Sequence, residues 1–201
     1  EVESLSTAPG GGSCSAYSSL VGICLSRMMA NLKIRKKKYE LNEENIKLEV
    51  KTSFEALKEI KDEMLSLVDK DTEAFNEVVK AMKMPKETDE EKALRKDAID
   101  NATWQSIDVP HRVAVLSLEA MKKMYPIYKY GNENALTDVG VGYLMCATGA
   151  EGAILNVKIN LGSVMDIERA KKLELECNQL LSEVTNLKNE VLVSIHDRLK
   201  I

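Results

Sequence analysis

The sequence predicts an all-α fold, a bundle of about six helices including long antiparallel ones, and three observations carry that prediction. The ten glycines fall in two zones, residues 10–22 and 131–162, and none lies between Gly22 and Gly131. Aromatic residues are only 4% of the 201, too few for a β core built on Tyr, Phe and Trp. Apolar residues recur at three-and-four spacing over stretches far longer than any strand. With 44% hydrophobic and 30% charged residues, the chain is long enough to bury a core as one domain, residues 1–201, without disulfides or a structural metal.

Ser13, after Pro9-Gly10-Gly11-Gly12, is the expected N-cap of a first helix that runs to about Arg35 with cations in its last turn. A second helix starts near Asn42 and stops before Pro85. Its stripe is Ile46, Val50, Phe54, Leu57, Ile60, Met64, Val68, Phe75, Val78, Val79 and Met82. Thr88 and Glu91 form a capping-box pattern for a third helix, and Pro110 suits the first turn of a fourth that ends before Pro126. Gly131-Asn132-Glu133-Asn134 then breaks the chain. A fifth helix takes Leu136 to about Leu161. A sixth runs from Asp166, its N-cap, to the C-terminus with Leu173, Leu180, Leu181, Val184, Leu187, Val191 and Ile195 inward.

The composition also excludes function classes. A net charge of −4 disfavours a nucleic-acid binder. The most apolar stretch, Cys14 to Ile34, holds Ser15, Ser18, Ser19, Ser26, Arg27 and Asn31, so it reads as a buried helix and not a membrane span. No charged segment precedes it, and a secretory leader is not expected. Cys14, Cys24, Cys146 and Cys177 form no CxxC pair, and neither His111 nor His196 is near enough in sequence to suggest a metal site. They read as reduced thiols of a cytoplasmic protein.

Five segments stand out as bearers of chemistry. Three successive glycines before a helix exceed what a turn requires, so Pro9 to Ser13 is either a flexible linker or a loop offering bare amides to an anion or a polarised carbonyl. The run Lys33-Ile34-Arg35-Lys36-Lys37-Lys38-Tyr39 is either a solvated helix end or the collector of a small polyanion. Asp71 falls on the apolar stripe of the second helix, where a carboxylate must be paired or belong to a polar site. In Gly131 to Gly140, Thr137 or Asp138 occupies the first turn of the fifth helix, as cap or as functional acid. Gly140, Gly142, Gly149 and Gly152 there allow a close helix crossing, within the bundle or at a dimer seam. Asn156 and Asn160 are one turn apart in apolar company and must be hydrogen-bonded, to helix ends or to a ligand.

Taken as they stand, several runs resemble the cyclodeaminase/cyclohydrolase family of folate enzymes: Ala8 to Ser13, Met29 to Leu32, Lys36 to Tyr39, Val68 to Phe75, Met84 to Lys86, Gly131 to Asp138 and Asn156 to Leu161. The family includes the C-terminal domain of formiminotransferase-cyclodeaminase and free-standing methenyltetrahydrofolate cyclohydrolases. The resemblance implies a cytoplasmic homodimer or larger assembly with no metal and no cofactor beyond its tetrahydrofolate substrate, with or without a polyglutamate tail, and neither nucleic acid nor membrane as partner. It makes Asp138 the general acid/base, assisted by Lys38 and Tyr39. Pro9, Gly10, Gly11, Gly12, Ser13, Asp71, Asn134, Asn156 and Asn160 would hold the substrate, with Lys36 and Lys37 at the glutamate tail. Deamination of 5-formiminotetrahydrofolate to the 5,10-methenyl form is the first expectation and hydrolysis of that bridge the second. A non-catalytic helical dimer is the reading from another class. All these groups are expected to converge in one pterin-sized crevice.

Overall fold

The computed structural model describes residues 2–199, and of Lys38 the backbone alone. Five helices form it: α1 (Gly11–Ile34), α2 (Glu44–Met82), α3 (Asp89–Tyr130), α4 (Leu136–Leu161) and α5 (Ile167–Arg198). Short 3-10 turns at Lys37–Leu41 and Glu133–Ala135 precede α2 and α4. Side-chain contacts fix the directions. Ser13 meets Asp71 and Arg27 meets Phe54, so α1 and α2 are antiparallel. Ser19 meets Ser117 while Met29 lies against Gly131, so α3 runs with α1. Lys158 reaches Asn178, and Gly140 lies against Ile195, so α5 opposes α4 and completes an up-down-up-down-up bundle. Its core holds Ile23, Met29, Leu57, Met64, Ile107, Leu116, Met121, Met124, Ile127, Tyr143 and Ile154. Each such side chain contributes about 1.5–3 kcal/mol by leaving water.

The small residues place α1 and α4 in backbone contact. A Cβ on Gly149 would lie 2.6 Å from the Ser15 carbonyl oxygen, and one on Gly142 would lie 2.8 Å from that of Gly22. Ser19 bonds Ser117 at 2.7 Å inside this seam, and Ser117 donates to the Val113 carbonyl. Of the serines that argue against a membrane span, Ser15 donates to the Gly11 carbonyl and Ser18 to the Met145 carbonyl, while the buried Ser26 hydroxyl has no partner among the described residues. No described helix is long and apolar enough to cross a membrane.

Three expectations about elements need correction. Helices three and four are one helix, α3, with Pro110 and Pro126 inside it. A proline cannot donate to the carbonyl four residues earlier, at a cost of about 3 kcal/mol. Buried neighbours Ile107, Val113 and Ala114 offset that loss. Second, the N-cap of α1 is Gly10, with no side-chain cap bond, because the Ser13 hydroxyl points across the bundle. Third, α2 begins at Glu44, since Lys37–Leu41 tightens into its own turn. The Thr88–Glu91 capping box and the Asp166 cap, which accepts from the Arg169 amide at 2.9 Å, form as expected.

Candidate functional site

One end of the bundle gathers the start of α1, the second half of α2, the middle of α3 and the end of α4 around a cavity of about 290 Å3. Its lining includes Gly10, Gly11, Gly12, Asp71, Asn156 and Asn160. The floor is the first turn of α1, whose leading amides have no acceptor in the helix and no side-chain cap. They bring the positive end of a 24-residue dipole to the cavity.

Asp71 is half-buried and accepts from the Ser13 hydroxyl at 2.8 Å, with Thr72 Oγ1 3.3 Å from the same hydroxyl. Its partner is thus a neutral donor beside a helix N-terminus, which leaves the carboxylate facing the cavity. A Cβ on Gly12 would lie 2.0 Å from Asp71 Oδ1, so glycine there is a condition of the carboxylate's position. Asn156 donates to the Gly152 carbonyl at 2.8 Å, which orients its amide against Gly11. Asn160, one turn on, lines the same wall.

Phe75, Ser106 and Ile159 also line the cavity, together with Thr7 and Ala8; Ala8 and Ile159 fall within the glycine-loop and asparagine segments, whereas no sequence signal marks Thr7. Phe75 reads as core because it continues the α2 stripe. A trace of Ser106 was available: Pro110 follows it by one helical turn and cannot bond its carbonyl, so α3 loses a ladder bond at the turn that faces the cavity.

The remaining predicted residues are at the other end. Asp138 and Asn156 share α4, about 27 Å apart along its axis. Lys36 donates to Asn132 Oδ1 at 3.0 Å and joins Lys33, Lys129, Tyr130 and Asn134 around a polar recess of about 400 Å3. Lys37 is exposed beside it. Tyr39 is buried, and its hydroxyl donates to the Lys47 carbonyl at 3.1 Å. Burial pushes this phenol above its ordinary range, and its bond to the Lys47 carbonyl anchors the 3-10 turn. The Lys38 side chain lies outside the described residues. Pro9 sits half-buried between Ala8 and Gly10 at the crevice mouth. Within one chain the groups expected to share a crevice therefore stand at two polar poles, separated by α1, about 36 Å long, so that a single crevice needs a neighbouring subunit. Among the described residues no three His, Cys, Asp or Glu side chains are grouped to hold a metal ion.

Comparison with known proteins follows this geometry. The formiminotransferase-cyclodeaminase family profile matches residues 1–179. A methenyltetrahydrofolate cyclohydrolase of Methylorubrum extorquens is 31% identical over 190 residues, covering 94% of this chain and 89% of its own. The formimidoyltransferase-cyclodeaminase of Gallus gallus is 29% identical over 179 residues, and this chain spans only 32% of that longer protein. The crystal structure of a formiminotetrahydrofolate cyclodeaminase from Thermotoga maritima superposes with a TM-score of 0.83 over 99% of this chain and 93% of the other. At 24% identity it supports the bundle as a fold. The chain belongs to the formiminotransferase-cyclodeaminase family.

Proposed function

We propose that this chain is a folate one-carbon enzyme that converts 5-formiminotetrahydrofolate to 5,10-methenyltetrahydrofolate and ammonia. The observation that carries the proposal is the convergence of open α1 amides, the Asp71 carboxylate and two carboxamides on one cavity in a chain of this family. A pterin ring offers a carbonyl that accepts from the amides and an amino-amide edge that donates to a carboxylate and to amide oxygens, with Phe75 against its face.

The reaction needs little beyond orientation and proton transfer. N10 attacks the formimino carbon, a tetrahedral adduct forms, and the departing nitrogen must be protonated before it leaves as ammonia. Asp138 is the acid/base in this reading, with Lys38 stabilising the adduct and Lys36 and Lys37 near the glutamate tail. Asp138 and Lys36 lie at the far pole, so the working unit is a homodimer. The outward face of α1 carries Cys14, Tyr17, Val21, Cys24, Met28 and Leu32, a stripe without a charge. Beside it on α4, Leu144, Leu155 and Ile159 are 44%, 64% and 77% exposed. A two-fold axis across the middle of α1 sets a second copy antiparallel on this face and brings its Lys36 to Asp138 pole over the glycine crevice.

Hydrolysis of the methenyl bridge to 10-formyltetrahydrofolate is the second reading. It is favoured by the cyclohydrolase match, which extends along 89% of that relative. The methenyl chromophore separates the two. Its absorbance grows when 5-formiminotetrahydrofolate is added to a deaminase, and its decay accelerates when methenyltetrahydrofolate is added to a hydrolase. Neither change above the uncatalysed rate would remove the enzymatic reading.

A further inference from the structure

Among the described residues, Asp71 is the one acid lining the glycine crevice, and two hydroxyls outside that lining, Ser13 and Thr72, stand behind it. Hydroxyls on these helices commonly turn back on their own backbone. Ser15 donates to the Gly11 carbonyl at 2.7 Å, Thr103 to that of Ile99 at 2.7 Å and Ser117 to that of Val113 at 2.6 Å, each four residues earlier. Thr72 reaches across to another helix: its Oγ1 lies 3.3 Å from the Ser13 Oγ on α1.

Counting protons gives that contact a direction. Ser13 has one hydroxyl proton, and it goes to Asp71 Oδ2 at 2.8 Å, because an ionised carboxylate only accepts. The contact between Ser13 and Thr72 is then a hydrogen bond only with Thr72 as donor. Thr72 to Ser13 to Asp71 is therefore a relay with both protons pointed toward one carboxylate. A hydroxyl that accepts one bond is a stronger donor of the next. Ser13 is 3% exposed, which keeps water from substituting for Thr72. The other carboxylate oxygen, Oδ1, stands over Gly12, where a Cβ would lie 2.0 Å from it. Ser13 and Thr72 are 59 positions apart, so no local pattern announces the relay.

We propose that Thr72 is a positioning residue of this crevice. Acting through Ser13, it holds Asp71 in the rotamer that ties Oδ2 to α1 and leaves Oδ1 as acceptor for a ligand edge that donates hydrogen bonds. The proposal rests on the folate reading, whose pterin amino-amide edge is such a donor, and adds to it a residue that touches no substrate.

The test is equilibrium dialysis of the full chain with 5-formyltetrahydrofolate, a stable reduced folate, beside steady-state rates of methenyl formation. Thr72→Val keeps the size and branching of the side chain and removes its hydroxyl. It should raise Kd and KM about fivefold while kcat stays within about twofold, and Thr72→Ser should restore both constants. Asp71→Asn should weaken binding further, and adding Thr72→Val to it should change nothing more, since the hydroxyl then has no carboxylate to aim. Thr72→Ala, smaller at the same place, should give the same split if valine disturbs the packing. A merely structural role would lower the melting temperature and weaken both backgrounds alike, and that additive loss would overturn action through Asp71. Thr72→Val binding as tightly as the parent would sink the relay alone. A parent chain that binds this folate without methenyl chemistry sinks the proposed reaction and leaves the relay to be read from Kd, whereas a parent chain that binds no folate sinks both.

Discussion

At the scale of single residues, Gly12 and Asp71 form the most sharply determined pair. Gly12→Ala would place a methyl 2.0 Å from the Asp71 oxygen, and the carboxylate is the movable end of a side chain. The expected result is a carboxylate swung away from Ser13, with kcat/KM down at least about tenfold while the melting temperature holds, since alanine is the better helix former by about 1 kcal/mol. Unchanged turnover in that variant would take Asp71 out of the site. A second pair concerns stability alone. Arg112 holds the Glu63 carboxyl below its usual range through hydrogen bonds of 2.7 and 2.8 Å between α3 and α2. A depressed carboxylate stabilises the fold above its unfolded pKa, and that contribution disappears as pH falls through the folded value. Both side chains are about 40% exposed, so solvent screening limits the effect to about 0.5 kcal/mol. Glu63→Gln should lower the melting temperature by about 1–2 °C at neutral pH and not at all at the acid end, read by calorimetry across pH. Buried Cys146 and Cys177, with thiols pushed up to about 12 and about 11, should stay unreactive toward a thiol reagent until the chain unfolds.

Individual helices show what a sequence can and cannot announce. Periodicity marks α2, and caps mark the starts of α3 and α5, because these signals are local: Thr88 and Glu91 satisfy each other's backbone, and Asp166 reaches only to Arg169. Pro110 misleads because proline is compatible with a helix start on local grounds, whereas its place within α3 is decided by neighbours such as Ile107 and Val113. The glycines of α4 announce a close crossing without naming the partner, which is α1. That seam is testable. Gly149→Ala sets a methyl 2.6 Å from the Ser15 carbonyl oxygen, a backbone atom that cannot rotate away, and should cost about 1–3 kcal/mol, or roughly 2–12 °C in melting temperature. Gly162→Ala meets nothing nearer than 3.8 Å in a right-handed conformation that alanine readily adopts, and should gain about 0.4–1 kcal/mol. Equal effects of the two would refute close packing as the reason for the α4 glycines.

For the molecule as a whole, the sequence made the site's ingredients legible but not their distribution. Gly10 to Ser13, Asp71, Asn156 and Asn160 do meet, although residues 58 and more positions apart had to be joined by packing that no local signal encodes. Asp138 and the Lys36 to Tyr39 corner are grouped with them by the family resemblance, and within one chain the length of α1 keeps them away. Distance along a long helix is invisible to an inventory of residue types. The uncharged α1 face and the exposed leucines of α4 are the physical reason to reunite the poles across a two-fold axis. In the proposed homodimer, Leu144→Asp on that face should shift sedimentation to monomer and abolish turnover together, leaving helicity intact. The most direct measurement mixes two inactive variants, Asp71→Asn and Asp138→Asn, by co-expression. If each active site takes Asp71 from one copy and Asp138 from the other, half of the dimers are mixed and each carries one intact site, so methenyl formation should return to about a quarter of the parent rate. A mixture no more active than its separate components would contradict the shared site.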